Sequence, residues 1–291
     1  MARWRTGLLL LLTACPIAAD GRSDAEFLRD ADQAWSQRAA GAREGRPQPG
    51  PVRDSIRGYE AVLAREPARL DARWKLLRSL HFAGEFLAQT EAEQRDWFER
   101  ATAVSETGLD ELAGAFGGER PDAWEPALLE QRIAASPLSR DDVARFYFWS
   151  AINWGAWSRT VGLLAAVREG VAERLHRYTR VAVRLEPGYD EGGPYRLLGR
   201  LHAVLPRIPF LSGWVDRDRA LPLIEQALAL APENPGNRYL LAVSLLDLRP
   251  GRRDEALGLL REVAALTPRP DMRIEDLELR REARERLARE G

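Results

Sequence analysis

Cysteine is almost missing from this chain: among its 291 residues only Cys15 carries a thiol. No intrachain disulfide can form, and a cysteine-built metal cluster is excluded. Lysine is as scarce, with Lys75 alone, so arginine carries the positive charge. The three histidines, His81, His176 and His202, stand far apart, and none falls in a His-Glu-x-x-His zinc pattern. A Gly-x-Ser-x-Gly elbow and a phosphate-binding loop are both lacking; the glycine-rich stretch 114–118 has no Lys-Ser/Thr beside it. These gaps argue against an enzyme, a metal site or a cofactor. Long apolar runs are lacking too. Gly7–Leu12 and Val161–Val167 fall well short of the roughly 20 residues a membrane-spanning helix needs. With 43 basic and 44 acidic side chains there is no basic surplus of the kind nucleic-acid binding draws on.

What is present begins at the N-terminus. Arg3 and Arg5 precede the apolar run Gly7–Leu12, and Leu12-Thr13-Ala14-Cys15 follows. Positive charge, short apolar stretch and small residues are the marks of an export signal. Ending on cysteine, they resemble the bacterial lipobox, in which a thiolate takes a lipid and the peptidase cuts before it. Residues 1–14 are then a signal peptide, 15–23 a lipidated linker and 24–291 a single domain. Cleavage removes Arg3 and Arg5 and leaves 41 basic against 44 acidic residues. The linker after Cys15 reaches at most roughly 26–29 Å. Pro16 stands where enteric bacteria place an aspartate to hold a lipoprotein at the inner membrane, which slightly favours the outer one.

The remainder is rich in Ala, Leu, Arg and Glu, with no alternating β-branched segments, and predicts an all-α fold. Helices are expected over 24–40, 52–65, 69–87, 91–112, 122–135, 139–157, 160–185 (broken near Gly170), 194–205, 217–231, 236–248, 252–266 and 275–290. Several end alike, at Pro67, Pro187, Pro232 and Pro268. Counting back from Pro232 gives Ala220, Ile224 and Ala227; from Pro268, Ala256, Leu260 and Val263. This small–large–small spacing matches the second helix of a tetratricopeptide repeat, where small residues admit a neighbouring helix. The expected architecture is a tetratricopeptide-like solenoid of helical hairpins or a superhelical bundle, with units around 52–87, 170–205, 217–248 and 252–290. The charged final helix suits a cap.

Two stretches exceed a plain repeat. Residues 139–157 carry Phe146, Tyr147, Phe148, Trp149, Trp154 and Trp157, apolar around the whole helix. Such a helix is buried on all sides, or part of its surface lines an apolar cavity in which Tyr147, Asn153, Trp154 and Trp157 orient a ligand. Gly192-Gly193-Pro194 predicts a turn into a helix. Gly199 within that helix marks a close approach, and Pro206–Val215 is an unusually apolar loop.

Together, Trp154-Gly155-Ala156-Trp157 and the series Tyr189, Gly192, Gly193, Pro194, Arg196, Gly199, Leu205, Pro206 resemble the T component of tripartite ATP-independent periplasmic (TRAP) transporters. The likeness covers about 140–268. It implies a lipid-anchored periplasmic protein built on tetratricopeptide-like repeats around an apolar pore, docking a periplasmic solute-binding protein and admitting a small hydrophobic ligand. Tyr147, Trp154, Tyr195 and Arg196 are the pore-lining residues it implies. The family's lysine beside the Trp-Gly segment is Ala156 here. The other reading is an envelope scaffold whose groove binds a protein or peptide and no small ligand; a homo-oligomer is open under both. For the leader, Cys15→Ser is expected to abolish labelled palmitate incorporation and release the protein from the membrane fraction. Incorporation that survives the change contradicts the anchor.

Overall fold

The computed structural model describes residues 22–43 and 45–290, so Cys15 and the leader expected around it lie outside the described residues. Within the described residues thirteen α-helices follow one another, mostly as antiparallel hairpins. The first pairs α1 (Asp24–Ser36) with α2 (Pro49–Arg65), the second α3 (Leu70–Phe86) with α4 (Glu91–Ala115). After the short α5 (Pro126–Ala134), the aromatic helix α6 (Arg140–Val161) pairs with α8 (Val171–Leu185), and α7 (Leu163–Arg168) sits in their connection. Then come α9 (Tyr189–Val204) with α10 (Ala220–Leu230), α11 (Pro235–Leu248) with α12 (Arg253–Ala265), and the closing α13 (Arg273–Glu290). Among the described residues no strand occurs beyond one isolated bridge, Arg43 to Arg46. The expected all-α hairpin architecture is what the structure shows.

Local chemistry sets the boundaries. Ser23 and Glu26 form a reciprocal capping box on α1, and Ser139 accepts from the Asp142 amide at the start of α6. The four recurrent prolines stand just past α2, α8, α10 and α12, because the residue before a proline is pushed out of helical geometry. The stretch expected as one helix over 160–185 breaks twice, at Gly162 (φ 80°) and Gly170 (φ 63°). The repeat positions Ala220, Ile224, Ala227, Ala256, Leu260 and Val263 are all buried. One large core runs from α1 to α9 through Tyr59, Leu77, Phe146, Tyr147 and Tyr178, and two smaller ones fill the hairpins of α10–α13.

The pairing of α9 with α10 differs from the 170–205 grouping expected from the sequence, and glycine is the reason. A Cβ on Gly199 would stand 2.6 Å from Ile224 and 2.9 Å from the Ala220 carbonyl; one on Gly192 would stand 2.9 Å from the Ala227 Cα. Only hydrogen fits at either place, so α9 lies directly on α10. Gly192 also closes a left-handed turn, Asp190 (φ 49°), Glu191 (φ 55°) and Gly192 (φ 86°), that sets the direction of the helix behind it. Two non-glycine residues in this region are held at a cost.

The last helix returns to the first. Arg38, just after α1, donates from Nε to Glu275 Oε1 at 3.0 Å and from Nη2 to the Asp271 carbonyl. At the far side of the same helix start, Arg269 reaches Glu191 at 3.4 Å. The start of α13 is therefore clasped both to the end of α1 and to the turn at the start of α9. Gly192→Ala is expected to lower unfolding free energy by about 2–4 kcal/mol, through overpacking and positive φ together. Gly251→Ala, with open space at its Cβ, is expected within about 0.5 kcal/mol of the parent; urea titration of the two variants checks the contrast.

Candidate functional site

The four residues expected to line a pore separate into two places. Tyr147 and Trp154, on α6, are both buried. The Tyr147 ring meets Tyr178 edge-on at 5.2 Å and Phe146 at 5.6 Å. Trp154 packs edge-on against Trp157 at 5.4 Å, and the Arg174 guanidinium lies over its ring at 4.4 Å. Tyr147 Oη and Trp154 Nε1 find no hydrogen-bond partner among the described residues. Burial pushes the Tyr147 phenol well above its ordinary pKa, so it stays neutral. Asn153, on the same helix, is spent on structure: its amide donates to the Leu77 carbonyl at 3.0 Å and the Trp149 carbonyl at 2.8 Å.

Tyr195 and Arg196 lie on α9, both half-buried. Arg196 turns back onto the left-handed turn. It donates to Asp190 Oδ2 at 2.5 Å and to Asn237 Oδ1 at 2.6 Å. Asn237 is fully buried and shares its amide hydrogens among the carbonyls of Ala227 (2.9 Å), Glu191 (3.0 Å) and Ala231 (3.2 Å). Arg196 and the motif residues Gly192 and Gly199 thus fix the junction between α9, α10 and α11.

Three adjoining hollows of about 570, 490 and 350 Å³ share Phe86, at the end of α3. The smallest is a groove beside the clasp, lined in part by Arg269 and Glu275. Arg196, Tyr239, Met272, Glu275 and Glu282 line it, so of the four expected residues Arg196 alone reaches it. Burial raises the pKa of Glu275 and of Glu282 above the ordinary carboxylate value.

Two further features were not among the expected site residues. The wall beside the groove is built of cations on aromatic faces. Arg145 lies 5.3 Å from the Tyr189 ring and pairs with Glu186 at 2.8 Å, while Tyr189 accepts from Trp149 Nε1 at 2.8 Å. Burial pushes the Tyr189 phenol up to about 12. The second feature is an apolar tip. Leu163 and Leu164 on α7 are 76% and 87% exposed, and Phe210, in the loop after α9, stands fully in solvent at a φ of 65°. The end of α6, the start of α8 and the end of α9 lie at one edge of the antiparallel array, so α7 and this loop share that edge. Trp214 holds the loop to the body by stacking on His176 at 4.0 Å and meeting His202 at 5.4 Å. His202 Nδ1 accepts the Asp216 amide at 3.0 Å.

With this geometry in view, comparison with known proteins is informative about the fold. The tetratricopeptide repeat family pattern matches residues 216–274. The solved structure of TTC0263, a thermophilic tetratricopeptide-repeat protein from Thermus thermophilus, superposes with a TM-score of 0.52 at 19% identity, covering 91% of this chain and all of that one. No curated protein matches the chain in sequence. The chain contains tetratricopeptide repeats and folds as proteins of that kind do. Such arrays offer extended surfaces to other proteins.

The tip's anchorage predicts a pH dependence. Burial, with Arg180 next, holds the His176 pKa down to about 4 from 6.5. A group whose folded pKa is lowered in favour of the neutral form stabilises fully above 6.5 and loses that contribution as pH falls toward 4. His176→Phe keeps a ring on Trp214 without the titration. Between pH 7.5 and 5 its stability is expected to fall less than the parent's, by about 1 kcal/mol in urea titrations once solvent screening of the half-buried ring is allowed for.

Proposed function

We propose that this chain is a lipid-anchored tetratricopeptide-repeat docking protein of the bacterial envelope, and that its partner is the solute-binding protein of a TRAP-type uptake system. The observation that carries the docking role is the apolar tip. Leu163, Leu164 and Phe210, with Ile208 and Leu211 beside them, leave large apolar side chains in water at one edge. Such a patch is costly unless something covers it. Arg217 and Arg219 follow the loop and form no ion pair among the described residues; Arg207 spends its Nε on the Gly213 carbonyl. An apolar centre with unpaired arginines around it fits an acidic protein surface, where charge steers the encounter and apolar anchors hold the complex.

The direction of the tip agrees with an anchor at Cys15. The first described helix, α1, begins at the opposite edge from α7, because α1, α3 and α6 run parallel: Trp74 meets Asp142 at their starts and Arg159 meets Glu85 at their ends. The 22 residues of α6 span about 33 Å. A linker of at most roughly 29 Å attached at the α1 edge leaves the tip facing away from the membrane. The partner's identity rests on the likeness of the Trp154–Trp157 and Tyr189–Pro206 segments to the TRAP family. A second reading, an apolar conduit past Trp154 and Tyr195 for a small hydrophobic ligand, draws on the unpartnered Tyr147 Oη and Trp154 Nε1 of α6.

The experiment is affinity capture from the source envelope with the lipidated full chain. A TRAP-type solute-binding protein is expected to co-purify, and Leu164→Asp with Phe210→Asp is expected to weaken that capture at least tenfold without lowering thermal stability. Capture of a different envelope protein that depends on the tip favours the general scaffold. Capture indifferent to both substitutions contradicts docking at the tip.

A further inference from the structure

The loop that carries Ile208, Phe210 and Leu211 is a turn that holds its own shape. The Ser212 amide donates to the Ile208 carbonyl at 2.9 Å, the Ser212 hydroxyl to the Pro206 carbonyl at 2.5 Å, and Arg207 Nε to the Gly213 carbonyl at 3.2 Å. A second set of contacts, at residues 214–216, fastens this turn to the helices. Trp214 stacks on His176, Val215 is buried, and the Asp216 amide donates to His202 Nδ1. Phe210 is held in the left-handed region, which is costly for a bulky side chain, so the fastened turn is strained.

The His202 contact fixes a protonation state. An imidazole nitrogen that accepts an amide N–H carries no hydrogen, so the proton of the neutral ring sits on Nε2. Nε2 is buried and finds no acceptor among the described residues, and neither does the buried Trp214 Nε1. The fastening thus strands two donors for the one bond it makes, which leaves it weak. A second proton has one place to go. On Nδ1 it turns the acceptor into a donor that faces the Asp216 N–H, and the bond is lost.

The surroundings give the resulting charge little to pair with. Facing His202 are His176 from α8, the Asp216 carboxylate and Arg219 from the turn before α10. Asp216 Oδ1 already accepts the Asp218 amide at 3.0 Å. Around His176 stand Arg180 on α8, Arg219 again, and Glu125 at the start of α5, which Arg180 takes at 2.9 Å. Burial, then Arg219, lowers the His202 pKa against a smaller opposing pull from Asp216. The contribution of the neutral ring is therefore whole above 6.5 and is lost as pH falls through the lowered value. His176 lies flat on the indole, where an imidazolium gains attraction. The acid response is therefore assigned to His202, whose hydrogen bond to the loop exists only in the neutral form.

We propose that His202 is an acid-released latch on the docking tip: protonation of Nδ1 expels the Asp216 amide and frees the Pro206–Val215 loop, so the tip grips its partner near neutrality and gives it up in acid. The second half rests on the docking role proposed above; the latch itself does not.

Amide hydrogen exchange of the purified full chain at pH 7.5 and 4.5, corrected for intrinsic rates, reads the latch without any partner. In the parent, protection at residues 207–216 is expected to fall about tenfold or more in acid while α3 keeps its own. His202→Asn brings an amide oxygen that accepts the Asp216 N–H and does not titrate, so its loop is expected to stay protected at both pH values. His202→Leu has no acceptor. Its loop is expected to be open at both, and this variant carries the test if His202→Asn fails to fold. A parent loop as protected in acid as at pH 7.5 overturns the latch, and so does an acid loss in either folded variant equal to the parent's. A solute-binding protein captured through the tip is expected to elute from the parent at pH 4.5 and to stay on His202→Asn. Loop opening without that elution contradicts the coupling to docking, whereas capture indifferent to Leu164→Asp and Phe210→Asp contradicts the docking role and not the latch.

Discussion

The side-chain amide of Asn237 holds together the part of the molecule on which the rest depends. It sits at the start of α11, wholly buried, with donors on the carbonyls of Glu191, Ala227 and Ala231 and its oxygen on Arg196. Those contacts reach the left-handed turn, the end of α10 and the flank of α9 at once. A buried amide with every valence used is stiff, because breaking one bond strands the others in a medium without water. The strained turn at Asp190 and Glu191 persists because this amide and Arg196 over-determine it. Once the turn is fixed, Gly192 and Gly199 admit α10, and the repeat hairpins leave the aromatic half at a set angle.

That angle has consequences at the clasp. It brings Arg269 to Glu191 and lets α13 reach Arg38, which closes the clasp over the groove. It also places Tyr189, the residue before the turn, against Phe148 and Trp149 and under Arg145. The cation–aromatic wall is thus built partly from α6 and partly from the junction. The edge that carries α7 and Phe210 is remote from both, held by ring stacking instead of ionic contacts.

Much of the fold was legible from local patterns. The helix-ending prolines, the Ala220–Ile224–Ala227 spacing and the Gly192–Pro194 turn are rules about neighbouring residues, and sequence displays neighbours. The aromatic helix was legible as buried, though whether it filled a core or faced a hollow depended on what packs against it. Tyr178 against Tyr147 and Arg174 over Trp154 come from α8, some twenty or thirty residues on. The cation–aromatic wall was not legible, since Arg145 and Trp149 come from α6, Glu186 from the end of α8 and Tyr189 from α9. Asn237 left no trace: it stands in the polar stretch 233–238 at the start of α11, and its partners Glu191, Arg196, Ala227 and Ala231 lie outside that helix. The exposed tip was half visible: the apolar loop Pro206–Val215 stood out, whereas Leu163 and Leu164 read as part of a helix over 160–185 until the break at Gly162 set them apart.

Amide hydrogen exchange on Asn237→Leu tests the junction most directly, since the substitution keeps the volume and removes all four hydrogen bonds. The account predicts that protection falls together at the start of α9, the end of α10 and the start of α11, by about 2–4 kcal/mol, while α1–α4 keep theirs. Loss confined to residue 237 and its immediate neighbours, with α9 and α10 unchanged, would contradict the claim that this amide organises the fold.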